Sequence, residues 1–327
     1  MNYFATIILR NSAIGDDQKG ITLANFLRFF TTNDAICVIE PDNLATHGPI
    51  KTEYLFVCLP SPVSLDALDT IQWKHCALCV FDDSVEATCL DDLERFSSVA
   101  QTLLKPAIDR GLEYPVQHIG CLPIRFRSFY NMAPTWLCRR RYDCSFLGGA
   151  TCFDGYHQRI DWVNELKQQK KIKFYGGLIN PSYKKPLLKI PNLKLDDATI
   201  KRISVNGVKQ RFWYLRSLAK SKIALCPTGF ARWTYRHYEG MLTRSIILST
   251  QLPSTYTLLI PFPKLDNFYC INDKEPVVPA IESILSNLRH WESIADENYA
   301  HMNQYLENGV YSTKKPKVFE SFLAQIH

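Results

Sequence analysis

Nothing in this 327-residue chain approaches the roughly 20 consecutive apolar residues that a membrane-spanning helix requires, so no span is expected. The opening MNYFATIILRNS turns polar too soon for a secretory signal, which points to a soluble, cytoplasmic protein. The single CxxC, Cys76 to Cys79 in KHCALCVF, has no second CxxC or HxxxH to complete four ligands, and zinc is not expected. The 11 cysteines are odd in number, and apolar runs such as YLFVCLP around Cys58 and IALCP around Cys226 read as reduced, buried thiols rather than disulfides. There is no internal repeat, no low-complexity tract, and no basic stripe of the density that nucleic-acid binding demands. The net charge of +6 is a mild excess, suited to an anionic ligand or to peripheral contact with an anionic membrane. The densest positive run, Arg139 to Arg141 with Arg125 and Arg127 upstream, has the look of a solvated linker.

What is present is apolar material: 46% of residues, enough to bury a large core, over a length that favours two domains. Short apolar runs at Ala5 to Leu9, Ala35 to Ile39, Tyr54 to Leu59 and Ala77 to Phe81 alternate with helix-like stretches, the mark of an α/β layer. Between Ile119 and Tyr142 the pattern dissolves into prolines, aromatics and arginines, a plausible connection. A second series comes next: a strand from Asp143 to Leu147 ending in Gly148 and Gly149, a helix from Tyr156 to Gln169, and a strand from Ile172 to Tyr175 ending in Gly176 and Gly177. Helices are also expected over Phe212 to Lys220, Val278 to Leu288 and Lys317 to Ile326. We read residues 1–135 as one Rossmann-like domain, 136–310 as a second facing it across a cleft, and 311–327 as a helix returning to the first.

The most informative stretch is SKIALCPTGFARWTYRHYEGMLTRSIILST, Ser221 to Thr250. An apolar strand, Ile223 to Cys226, is broken by Pro227, Thr228 and Gly229, and a basic, aromatic helix comes before a second strand from Ser245 to Leu248. With a helix starting near Ala231, Arg232, Arg236 and Glu239 fall at i, i+4 and i+7 on one face. Two readings stand side by side. Arg236 and Glu239 form a solvated surface pair, or the two guanidinium groups and the helix start hold a phosphate at the C-terminal edge of a parallel sheet while Glu239 accepts from sugar hydroxyls. Gly148 and Gly149 would let backbone N–H groups approach the same phosphate, although a Gly pair after a strand is commonly an ordinary turn.

Two stretches resemble a known family. YDCSFLGGATCFDGYHQRIDWVNELKQQKKIKFYGG, Tyr142 to Gly177, is similar to the first strand, Gly loop, Arg-bearing helix and second strand of the donor domain of GT-B glycosyltransferases, in particular exostosin-like and fucosyltransferase-like members. LAKSKIALCPTGFARWTYRHYEGMLTRSIILS, Leu218 to Ser249, resembles their segment with Gly, Tyr-Arg, a glutamate and a strand, here Gly229, Tyr235, Arg236 and Glu239. The run IPFPKLDNFYCINDKEPVVPAIESIL is similar to the region after that segment in exostosin-like enzymes. The resemblance covers roughly half the chain. It implies a nucleotide-diphosphate sugar, UDP- or GDP-linked, held by the second domain through Gly148, Gly149, Thr228, Gly229, Arg232, Tyr235, Arg236 and Glu239, and a glycan or lipid-linked glycan acceptor bound by the first. Many retaining members carry a second glutamate eight residues before the matched one; here that position is Ala231, so the resemblance does not support retention and an inverting hexosyl- or pentosyltransferase is expected. The membrane anchor of animal exostosins is missing too, which suggests a bacterial or viral type.

Inversion needs a general base for the acceptor hydroxyl and positive groups for the departing diphosphate. Asp16 and Asp17 in NSAIGDDQKG, and Asp82 and Asp83 after ALCVF, end strands of the first domain; each pair is a candidate base or an ordinary helix cap. His118 is a further candidate, or a packing histidine between domains. No DxD-like pair lies in a donor-domain loop, so metal-independent chemistry without a cofactor is expected. The rival readings are a non-catalytic nucleotide or sugar binder and a transferase using a CMP-activated acid sugar.

Overall fold

The computed structural model describes residues 2–9, 17–81, 90–109, 111, 113–123, 139–149, 157–179, 196–205, 211–229, 232–252, 256–306 and 317–326. The chain divides into two compact units: Met1–Asn131 with Thr255–Pro261 and Tyr305–His327, and Met132–Ser254 with Phe262–Gln304.

In the first unit β1 (Asn2–Ile8), α1 (Asp17–Phe30), β2 (Ile36–Ile39), β3 (Ile50–Leu59), a single turn α2 (Leu65–Leu68), β4 (Ile71–Val80), α3 (Leu90–Phe96), β5 (Thr102–Lys105), β6 (Ile108–Asp109) and β7 (His118–Cys121) succeed one another. Six of the strands form a parallel sheet in the order β2-β1-β3-β4-β5-β7. The central strands are buried on both faces: Leu55, Phe56, Val57, Leu78, Cys79 and Val80 are at most 1% exposed. That is why they read as continuous apolar runs and not as alternating ones.

The second unit carries β8 (Tyr142–Gly148), α4 (His157–Gln168), β9 (Phe174–Ile179), α5 (Asp197–Ile203), β10 (Ser204–Val205), α6 (Arg211–Ala219), β11 (Ser221–Cys226), α7 (Tyr235–Leu242) and β12 (Ile246–Thr250). β13 (Tyr256–Thr257) belongs to the first unit, where it pairs antiparallel with β6; β14 (Tyr269–Ile271), α8 (Val277–Ser286) and α9 (Leu288–Leu306) continue the second unit, and α10 (Lys317–Leu323) is again part of the first. The parallel sheet of the second unit has the order β10-β9-β8-β11-β12-β14. Numbered within the unit this is 3-2-1-4-5-6, the doubly wound Rossmann order, whose strand order reverses between β8 and β11. Cys144, Phe146, Ile223, Leu225, Ile246 and Leu248 bury one face of the sheet with Ile160, Val163 and Leu166 of α4 and Ile281 and Ile284 of α8. In the first unit α10 packs Phe322 and Phe319 against Phe26 and Phe30 of α1, with ring centroids 5.3 and 4.4 Å apart.

Three expectations need correction. The helix after β11 begins at Tyr235 and not near Ala231. Gly176 and Gly177 do not end a strand but lie inside β9, with φ of 118° and 153°. The apolar helix at Val277 stops at Asn287, and the nineteen-residue α9 beyond it was not foreseen. It docks through Ala295, Asn298, Tyr299 and Met302, at helical spacing. Because Asn298 is buried by bonding Asn267, the docking stripe is not purely apolar in sequence. Among the described residues no helix is long and apolar enough to cross a membrane.

Candidate functional site

The reversal of strand order brings the loop after β8 beside the loop after β11. Side chains from three helices meet there. Gln158 and Arg159, in the first turn of α4, lace the two loops together: the Thr228 N–H donates to Gln158 Oε1 (2.9 Å), while Arg159 donates from Nε to the Thr228 carbonyl and from Nη1 to the Gly149 carbonyl, both at 2.9 Å. Gln158 Nε2 also donates to the Asp273 carbonyl, just after β14 (3.3 Å). The Thr228 and Thr250 hydroxyls, 2.9 Å apart, join the ends of β11 and β12.

From α7, Arg236 donates through Nη2 to the Leu147 carbonyl (2.6 Å) and through Nε to the Tyr214 hydroxyl (3.1 Å). Its guanidinium stands 4.4 Å over the Phe146 ring, and that of Arg159 lies 5.9 Å from the same ring. Tyr214, on α6, donates its hydroxyl to Glu239 Oε2 at 2.6 Å, so one phenol bridges the arginine and the glutamate. Among the described residues the Nη1 arm of Arg236 has no hydrogen-bond acceptor.

The glycines make this packing possible. A Cβ on Gly148 would sit 2.9 Å from Arg236 Nη2 and 2.9 Å from Phe146 Cζ, tighter than atoms pack. At Gly149 the nearest atom would be 4.0 Å away, so the backbone there is open to an approaching group. Gly229 has no room for a side chain against the Arg159 guanidinium.

Burial sets the charge states. It drives the Tyr214 hydroxyl well above its ordinary range and the Cys226 thiol up to about 12, so both are neutral. Burial also lowers His237 to about 4. The neutral imidazole accepts the Thr234 N–H at Nδ1 (3.1 Å), completing the cap of α7, and therefore donates from Nε2 to Ser249 Oγ (2.7 Å). Burial opposes the charge on Arg236 as well, but Tyr214, Cys226 and Glu239 outweigh it and its pKa is raised.

The expectation that Arg232, Arg236 and Glu239 share one helix face needs revision. Arg232 precedes α7, and Arg236 and Glu239 are 8% and 5% exposed, packed against the sheet and α6. They are not a surface ion pair. Arg232 is the solvent-facing cation: it pairs with Asp273 Oδ2 at 2.8 Å and donates to the Gln251 carbonyl at 3.1 Å. Tyr235 opens α7, its ring 4.9 Å from that of Trp233. Asp17 is the first residue of α1; Asp16, Asp82 and Asp83 lie outside the described residues. His118 is exposed at the start of β7, so it is not a packing histidine. Sequence reasoning missed Gln158, Arg159 and Tyr214. Arg159 left a signal: it stands four and seven residues before Val163 and Leu166, on the core-facing side of α4, where a charge must find partners. Among the described residues no group of three His, Cys, Asp or Glu side chains could hold a metal ion.

No family model matches this sequence, and no curated protein does. Solved structures do. A glycosyltransferase from Rickettsia africae superposes with a TM-score of 0.54 at 10% identity, over 92% of this chain and 93% of that one. HepE of Anabaena in complex with UDP-glucose gives 0.55 at 10% identity, over 98% and 97%. A transferase from Siraitia grosvenorii in complex with UDP gives 0.52 at 11%, over 98% and 99%. The fold is GT-B. Each of the two parallel sheets is one Rossmann-like domain of that architecture, and the Gly148/Thr228 crevice lies at the C-terminal strand ends of the second GT-B domain, where doubly wound sheets bind ligands.

Proposed function

We propose that this chain is a glycosyltransferase of the exostosin-like or fucosyltransferase-like kind. It takes a UDP- or GDP-sugar in the crevice between β8 and β11 and transfers the sugar, with inversion, to a hydroxyl of a glycan or lipid-linked glycan. One observation carries the reading: a buried arginine, Arg236, fixed at the strand ends with one arm uncommitted among the described residues, beside the sterically open backbone of Gly149. A diphosphate there would meet a preorganised cation and backbone N–H groups, and both strengthen as negative charge gathers on the leaving nucleotide. The GT-B fold, and the UDP and UDP-glucose held by two proteins that share it, support the same reading.

The roles divide between surface and buried groups. Arg232, whose ion pair with Asp273 is solvent-exposed and weak, exchanges that partner for a phosphate. Arg236 supplies charge from below, and Glu239 fixes it through Tyr214. Thr228, Gly229 and Tyr235 shape the rim. The general base is one of Asp16, Asp17 and Asp82. No cofactor is assigned, and the arginines take the part of a divalent ion, so turnover persists in EDTA.

A thermal-shift panel of UDP, GDP and CMP, followed by nucleotide release from the matching sugar donors in EDTA, tests this. UDP or GDP should raise the melting temperature, and release should need an acceptor but no added metal. A shift with CMP alone would replace the proposal with an acid-sugar transferase. Binding without release, unaltered by alanine at Asp16, Asp17 and Asp82, would leave a non-catalytic binder.

A further inference from the structure

The opposite, N-terminal edge of the second sheet carries a feature that nucleotide binding does not use. Four strand starts and the turns leading into them converge there, and their backbones are joined: the Arg141 and Tyr142 N–H groups donate to the Lys220 carbonyl (2.7 and 3.1 Å), and the Asp143 N–H donates to the Lys173 carbonyl (2.9 Å). These bonds set Arg141, Tyr142, Lys173, Lys220 and Lys222 side by side, with Lys170 and Lys171 in the turn before β9. Arg139, Arg141, Lys170, Lys171 and Lys173 are all exposed; Arg244, in the turn before β12, is exposed too but is engaged by α9, its guanidinium 4.2 Å over the Tyr299 ring and 3.7 Å from Asp296. Within these turns the acid is Asp143, already occupied by Lys222 Nζ at 2.8 Å and the Lys173 N–H at 2.9 Å; although burial works against it, these partners hold its carboxyl below the usual range. Between the cations stand two tyrosines, Tyr142 and Tyr175, with ring centroids 4.7 Å apart, and Tyr175 remains 37% exposed.

Arg140, in the middle of this run, is half-buried and turned towards the strand starts. It donates to the carbonyls of Ala219, Ser221, Thr243 and Arg244 at 2.6 to 2.9 Å, tying three strand starts into one edge. The cations therefore project from a fixed base and not from a solvated linker.

We propose that this edge is a docking surface for an anionic lipid bilayer. Flexible lysine and arginine heads reach lipid phosphates while their stems and the tyrosine rings settle at headgroup level, the arrangement that amphipathic side chains take at a membrane interface. A nucleic acid would ask for a groove that tracks its backbone and a stronger overall excess than the +6 of this chain. The surface is independent of the proposed transferase activity.

Co-sedimentation of the full chain with vesicles tests it. One set is phosphatidylcholine alone; the other contains phosphatidylserine in roughly equal amount. The protein should sediment with the anionic set only, and binding should fall as salt rises. Charge removal by Lys170→Ser, Lys171→Ser and Lys173→Ser together should weaken it by roughly a hundredfold, as expected for three basic contacts. Tyr175→Ser should weaken it a few-fold and leave the salt dependence unchanged, and neither variant should alter the melting temperature or the response to UDP and GDP. Equal sedimentation with both vesicle sets, an unaffected triple variant, or tighter binding of a single-stranded RNA lost in the same variant would overturn the proposal.

Discussion

Tyr214 holds the most consequential single atom of the candidate site, since its hydroxyl donates to Glu239 and accepts from Arg236. Tyr214→Phe keeps the ring and removes the bridge, leaving a buried carboxylate and a buried guanidinium each short of a partner. The expected loss is about 1 to 3 kcal/mol in urea denaturation, because an unsatisfied buried group keeps its full desolvation penalty. His237 gives a pH signature of opposite origin to a salt bridge. Its pKa falls from 6.5 in the unfolded chain to about 4 in the fold, so between those values the unfolded state binds the extra proton. Stability therefore rises with pH through that window and is lost as pH drops from 6.5 towards 4, by roughly 3 kcal/mol at the acid end. His237→Gln should flatten that limb of the stability curve; an unchanged limb would mean that the imidazole is not held neutral. The residues were partly legible: Arg232, Arg236 and Glu239 stand out in sequence, but their spacing belongs to a helix that starts four residues later than the pattern suggests. The Thr234 and His237 cap that sets the true start is no common capping pair, since histidine takes the place usually held by glutamate or glutamine.

Among the elements, β9 and the loop after β8 respond differently to the same substitution. Gly176 lies at φ 118°, and a Cβ there would strike the Phe146 carbonyl oxygen inside the sheet. Gly176→Ala should therefore separate β8 from β9 or prevent soluble expression, a loss of several kcal/mol. Gly149→Ala meets nothing closer than 4.0 Å. It should melt within about a degree or two of the parent, as substitutions without a clash usually do. Melting curves of the pair separate a glycine that the fold demands from one that only a ligand would demand. Sequence periodicity could not make that distinction, because both belong to Gly pairs that read alike as strand ends, although Gly176 lies inside β9. It missed α9 for a related reason: the helix docks partly through Asn298, whose value comes from a partner at Asn267, and that partner is visible only once the chain has folded.

At the scale of the molecule, alternating apolar runs and helix-like stretches were enough to read two Rossmann-like domains, and every expected strand is present with its ends shifted by as many as six residues, whereas the short strands β5, β7, β10 and β14 carry too few apolar residues to stand out in sequence. What the sequence leaves unreadable is pairing between distant segments. Thr257 lies opposite Ile108, and Gln325 Oε1 accepts the Cys121 N–H, contacts between short segments that carry no periodic signal of their own. The switch-point crevice is likewise a product of topology, since β8 and β11 are neighbours in the sheet but separated by two other strands in the chain. The claim that this crevice receives a nucleoside diphosphate is tested most directly by calorimetric titration of UDP and GDP into the parent protein, Arg232→Ala and Gly149→Ala. At least one nucleotide should bind the parent, and each variant, with melting unchanged, should bind it about tenfold or more weakly, the equivalent of about 1.4 kcal/mol. Binding of neither nucleotide, or affinities untouched by both substitutions, would contradict the account.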